Sequence, residues 1–239
     1  MYFEYYLMGI ILLPALLFAT YAQAKVNSTY NKYNKVFSQS NTTAAELIKR
    51  LLYTCDMHST QVTQVSGSLT DHFNPKTNEI ALSQANYNST SVSALGVACH
   101  EFGHALQQKE KYFAYQIRRF LIPVTNFASN LLWPLVIIGL IFNFAVEGGG
   151  ATGNIFLWSG IIVFGLAVLV NLVTLPVEFN ASKRAVTILK ETGTLNEEEL
   201  NGTKKVLNAA ALTYVAALAV SILNFVRFLL VVLSRSRRD

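Results

Sequence analysis

The sequence predicts a mainly α-helical membrane protein: about four transmembrane helices and an α+β extramembrane part that carries a small β-sheet. Three observations lead there. Of 239 residues, 52% are hydrophobic and only 14% are charged, against about 25% charged in an average soluble domain. The apolar residues gather in uncharged runs, Phe120 to Val146 and Ile155 to Val177 among them, and each is long enough to cross a bilayer. The polar stretch from 25 to 119 holds a turn-bounded segment with strand-like alternation.

Taken in order, residues 1–24 form an N-terminal membrane anchor, with its apolar run from Tyr5 to Ala22. Ala22-Gln23-Ala24 has the look of a signal-peptidase site. However, Glu4 precedes the run, and Lys25, Lys32 and Lys35 follow it. A cleaved signal carries its positive charge in front, so an uncleaved anchor with its N-terminus outside is expected.

Residues 25–119 form the first polar part. Thr42 or Thr43 is positioned to cap a helix over 44–52, where Glu46 and Arg50 have i,i+4 spacing. Gln61 to Ser83 reads as β structure, broken by Gly67 and by the turn Asn74-Pro75-Lys76-Thr77-Asn78. Glu79-Ile80-Ala81-Leu82-Ser83 alternates as a half-buried strand does. Read as an exposed edge, with Ile80 and Leu82 inward and Glu79, Ala81 and Ser83 outward, this strand could grip an extended peptide. A helix then starts near Ser91.

Residues 120–177 give two spans with a short external loop, and Pro123 and Pro134 are positioned to kink the first. Pro176 is read as opening a new polar helix in the segment 178–205. That helix ends at Gly193, and Asn196 with Glu199 makes an N-cap pair for the next. Residues 206–239 are an apolar helix with a basic tail. Ten of the 19 Lys and Arg lie in 25–119, five in 183–205 and four from Arg227 on, while the loop between the second and third spans has none. The two polar segments therefore belong together in the cytosol. A fourth crossing would put Arg235, Arg237 and Arg238 outside, so the sequence leaves the last crossing open.

The net charge of +5 fits cytosolic loops, and no basic patch interleaved with aromatics points to nucleic acid. Cys55 and Cys99 form no C-x-x-C pair and imply no disulfide framework. Cys99 is expected to be a small buried residue. The four N-x-S/T sequons carry no meaning on a cytosolic face.

The chemistry sits on the helix that starts near Ser91. It contains His100-Glu101-Phe102-Gly103-His104, an H-E-x-x-H motif. Residues i and i+4 share a helix face, so His100 and His104 can present two imidazoles to one metal. Glu101 stands beside the pair, where a base acting on metal-bound water would stand; the motif's usual reading is a zinc peptidase. Catalytic zinc takes three protein ligands. His58 and His72 sit in polar, turn-like contexts that suit solvated surface. Glu178 is better placed: it is the first charge after the uncharged stretch 148–177, at the cytosolic end of a span. Read as lying in the first turn of a helix, its carboxylate is stabilised by the helix N-terminus.

His100-Glu101-Phe102-Gly103-His104 and Leu175-Pro176-Val177-Glu178-Phe179-Asn180-Ala181-Ser182 together resemble the two signatures of the YugP-like, membrane-bound neutral zinc metallopeptidases. The resemblance runs through nearly the whole chain. More distantly, the chain is similar to HtpX and the CAAX prenyl endopeptidases, which pair H-E-x-x-H with E-[FY]-x-A-D. The resemblance implies a zincin-like extramembrane part, one zinc per chain held by His100, His104 and Glu178, and Glu101 as catalytic base. Ser182 departs from the distant relatives, which carry Asp there; it can orient a ligand imidazole only as a neutral partner.

The expected protein is therefore a multi-pass cell-membrane zinc endopeptidase whose active site faces the cytosol. Its partners are a peptide or protein substrate, membrane-associated in one form, and the lipid bilayer. Tyr214 and Arg184 are candidate oxyanion donors, against ordinary packing for Tyr214 and an ion-paired surface role for Arg184. Two other readings stand beside this one. One is a non-catalytic zinc-containing scaffold, which would need a fourth protein ligand. The other is an intramembrane-cleaving protease, which the polar segment around the motif disfavours.

Overall fold

The computed structural model describes residues 9–145 and 150–236. The first residues of the predicted anchor, the centre of the predicted external loop (146–149) and Arg237 and Arg238 of the basic tail lie outside them. The chain is mainly helical and divides into two compact units. One takes in 22–115 and 176–213, the other 1–21, 116–175 and 214–239.

The 22–115 and 176–213 unit begins with most of helix α1 (Leu13–Tyr33). Helix α2 (Ala44–Thr54) follows and shows how its sequence dictates it. Thr43 accepts a hydrogen bond from the Glu46 N–H, and the Glu46 side chain accepts from the Thr43 N–H at 3.0 Å, a complete capping box. Glu46 thus serves the helix start. Ala44, Leu47, Ile48, Leu51 and Leu52 fall on one face and are buried.

Strands β1 (Gln61–Val65), β2 (His72–Asn74) and β3 (Glu79–Ser83) form a three-stranded sheet in the order β1-β3-β2. β1 is parallel to β3, and β2 antiparallel to it. The expectation of an exposed peptide-gripping edge at Glu79, Ile80, Ala81 and Leu82 is therefore corrected. β3 is the central strand, flanked on both sides, and Ile80, Ala81, Leu82 and Ser83 are all buried. Alternation reports which side chains share a face, but not where a strand stands in the sheet order. The small outward residues Ala81 and Ser83 let the second face be covered as well.

A short helix α3 (Gln84–Tyr87) leads to α4 (Val92–Lys109), capped by Ser91, which accepts from the Ala94 N–H. The core of this unit packs Leu47, Ile48, Ile80, Leu82, Leu95 and Phe102 against Ala185, Leu189, Leu200 and Leu207 from the later helices. Each Leu, Ile or Phe among them contributes about 1.5–3 kcal/mol of burial. Asp71 ties the sheet to α3: its carboxylate accepts from the Ser83 N–H and the Asn86 amide, both at 2.8 Å.

Among the described residues, three helices are long and apolar enough to cross a membrane: α5 (Phe113–Ala145), α6 (Gly150–Glu191) and α7 (Glu197–Ser236). Their apolar parts make up most of the second unit. There Leu157, Ile161 and Val232 form a small core with Phe225 and Phe228. Pro123, Pro134 and Pro176 all lie inside helices. That corrects the reading of Pro176 as a helix opening: α6 runs unbroken through it, so Glu178 is not in a first turn and draws nothing from a helix N-terminus. Long apolar helices tolerate proline because neighbours and local adjustment satisfy the freed backbone group. The predicted end of this helix at Gly193 holds, with φ +62° there. The Asn196–Glu199 cap forms reciprocally at 2.9 Å in both directions.

Candidate metal centre

α4 carries the motif residues and α6 carries the carboxylate. Phe102 and Cys99 face the core and anchor α4, which turns His100 and His104 to the opposite side. Burial pushes the Cys99 thiol far up, so it is an inert packing residue, as expected. Gly103 sets the distance between the two helices. A Cβ there would lie 2.8 Å from the Ala181 carbonyl oxygen, so only glycine lets α4 approach α6 this closely.

That approach brings His100, His104 and Glu178 together. Glu178 Oε2 lies 3.2 Å from His100 Nε2 and 3.5 Å from His104 Nε2. The three ligand atoms lie within 4.8 Å of one another. Donors about 2 Å from a tetrahedral zinc stand about 3.3 Å apart, so the two Glu178 contacts match. The donor chemistry fits as well. Two imidazoles and one carboxylate make a His₂Glu set, and both Nδ1 atoms are engaged elsewhere: His100 with Ser182 Oγ at 3.1 Å, His104 with Gln107 Oε1 at 3.0 Å. Both Nε2 atoms are left to face Glu178. These three residues could hold a metal ion, and Glu178 is only 2% exposed.

Glu101 stands beside this group. Its Oε2 accepts the backbone N–H of Phe73 in β2 at 2.9 Å. Burial raises its carboxyl above the usual range; His100 and His104 pull it back, while Glu178 and Asp71 push it further up.

Of the other predicted site residues, Ser182 does meet His100. Arg184 is engaged by Asn180 Oδ1 at 2.8 Å and Glu110 at 2.7 Å, the ion-paired role weighed against an oxyanion donor; the Arg184 hydrogen bond holds the Glu110 carboxyl below its usual range. Tyr214 is a half-buried residue of the other unit. His58 and His72 are exposed. Sequence reasoning missed Gln107, Asn180 and the Phe73 N–H. Gln107 had a signal, its i,i+3 spacing from His104. Phe73 had none, because a backbone group's direction depends on sheet order.

The chain is 43% identical to "Putative membrane protease YugP" of Bacillus subtilis (strain 168) over 223 residues, 93% of this chain and 95% of that one. No solved structure matches. A family described as "Putative neutral zinc metallopeptidase" matches residues 8–233. A match of that extent, spanning His100, Glu101, His104 and Glu178, assigns the whole chain: it belongs to this neutral zinc metallopeptidase family.

Proposed function

We propose that the chain is an integral membrane zinc endopeptidase that hydrolyses peptide bonds at the cytosolic membrane face. The observation that carries this is the convergence of His100, His104 and Glu178 with a held carboxylate, Glu101, at their side. His100, His104 and Glu178 would hold one zinc per chain. Bound there, zinc supplies a Lewis acid that polarises a carbonyl and lowers the pKa of water. Glu101 takes the proton of the attacking water as it adds to the peptide carbonyl. It then delivers that proton to the leaving amine as the C–N bond breaks. The Phe73 N–H holds one carboxylate oxygen and leaves the other to do this.

In this reading the extended substrate runs along β2, an outer strand whose Phe73 N–H reaches Glu101. The substrate is a peptide or protein, and membrane-associated substrates suit a site borne by a membrane protein. The polar parts 25–119 and 178–205 face the cytosol, because they hold 15 of the 19 Lys and Arg. The anchor 1–24 and the helix of 206–239 add to the spans 120–177 and make four crossings around a zincin-like part. α4 is not among the described helices that are apolar and long enough to cross, which speaks against an intramembrane centre.

The test is Glu101→Gln in the full-length protein with an unfolded protein as substrate. Hydrolysis should fall by about 10²–10⁴-fold, the worth of a general base, with zinc content unchanged. Wild-type turnover in that variant would end the proposal.

A further inference from the structure

Resting on the metal-centre reading, we infer that Arg184, Asn180 and Gln107 form a polarity relay that locks His104 in the Nδ1–H tautomer, with its Nε2 lone pair presented to the metal. Gln107 is a polar side chain with no solvent exposure. Its Nε2 donates both hydrogens, to the Val177 carbonyl at 2.8 Å and to Asn180 Oδ1 at 2.9 Å. Asn180 Oδ1 also accepts from Arg184 Nε at 2.8 Å. Arg184 is held in place by Glu110.

The direction of this chain is fixed at two points. A guanidinium only donates and a backbone carbonyl only accepts. Asn180 must therefore turn its oxygen to Arg184. Gln107 must turn its NH₂ to Val177 and Asn180, since a flipped amide would set its oxygen against two acceptors. Gln107 Oε1 is then the atom left at His104 Nδ1, 3.0 Å away. It accepts, so Nδ1 carries the proton. A ligand imidazole needs Nε2 unprotonated, and this arrangement selects that form.

His100 has no such lock. Its Nδ1 partner is the Ser182 hydroxyl, which can donate or accept. The two ligand histidines are thus set differently: His104 is fixed by a buried chain of one polarity, and His100 is left adaptable. Gln107 and Asn180 are positioning residues, acting through His104.

The experiment measures zinc affinity of the full-length protein in detergent by competition with a chelator. Gln107→Leu should weaken zinc binding by about 10–100-fold, as loss of an outer hydrogen-bond partner does. Asn180→Leu should weaken it by about tenfold, whereas Asn180→Asp, which still accepts from both neighbours, should stay within about threefold of wild type. In the zinc-loaded wild type, ¹⁵N NMR should show a protected His104 Nδ1–H that Gln107→Leu loses. Wild-type affinity in Gln107→Leu, or equal affinity in the two Asn180 variants, would overturn the relay. Should Gln107→Leu fail to fold, the Asn180 pair decides. A wild-type protein that binds no zinc would instead remove the metal centre itself, and the relay with it.

Discussion

Gly103 and Ala181 meet so closely that a Cβ on Gly103 would sit 2.8 Å from the Ala181 carbonyl oxygen. Gly103 lies between the two histidines, and Ala181 lies between Glu178 and Ser182. The contact that packs α4 on α6 is therefore the one that closes the candidate metal centre.

Gly103→Ala should accordingly be harmful despite its helical setting. Alanine would gain about 1 kcal/mol in helix propensity. Displacing a backbone carbonyl costs about 1–3 kcal/mol as overpacking does, and parting the helices moves Glu178 from the histidines. Thermal unfolding with and without a chelator checks this. The variant should melt below wild type and lose most of the stabilisation that zinc gives.

Glu178→Gln and Glu101→Gln should separate a ligand from a base. A neutral amide is a poorer metal ligand than a carboxylate, so the Glu178 variant should lose zinc as well as hydrolysis. The Glu101 variant should keep its zinc. Metal analysis of both purified proteins reads the difference, and full zinc in Glu178→Gln would take that residue out of the centre.

The raised Glu101 carboxyl gives a pH dependence. A base must be ionised, so activity should disappear as pH falls through its folded-state value, placing the acid limb of kcat/KM above the ordinary glutamate range near 4.3. The stability sign is opposite to that of a paired carboxylate. The folded state binds this proton more tightly than the unfolded chain, so the metal-free protein loses stability as pH rises from the unfolded-state glutamate range through Glu101's folded-state value. Glu101→Gln should raise the Tm of chelator-treated protein at neutral pH. An acid limb at or below the unperturbed glutamate range would contradict both.

Ala81→Pro should unfold the sheet. Ala81 is opposite Thr63 on one side and His72 on the other, and proline is confined to edge strands and bulges. Losing one ladder bond costs about 0.5–1.5 kcal/mol. Circular dichroism should show a lowered Tm, and zinc affinity should fall along with it. Unaltered melting would mean that β3 is not central.

Orientation is tested by impermeant thiol labelling of intact cells, with Cys55 replaced by serine. Gly150→Cys should react from outside and Lys76→Cys should not, because residues 146–154 hold no Lys or Arg while 25–119 holds ten. The reverse pattern would turn the protein over.

The sequence by itself determined much of this protein. The apolar runs that begin at Phe120, Ile155 and Val206 lie in α5, α6 and α7, because a bilayer demands long apolar helices. Thr43, Ser91 and Asn196 marked helix starts, because caps are local chemistry. The H-E-x-x-H spacing put His100 and His104 on one face, because helical periodicity is fixed. Tertiary structure alone decided the rest. It made β3 central, since strand order depends on long-range pairing that alternation does not encode. It carried α6 through Pro176, since the surroundings of a long apolar helix override a local start signal. It brought Gln107 to His104 and the Phe73 N–H to Glu101, and set how near Glu178 stands to the histidines, since those meetings depend on how closely Gly103 lets two distant helices pack and on which edge of the sheet faces them.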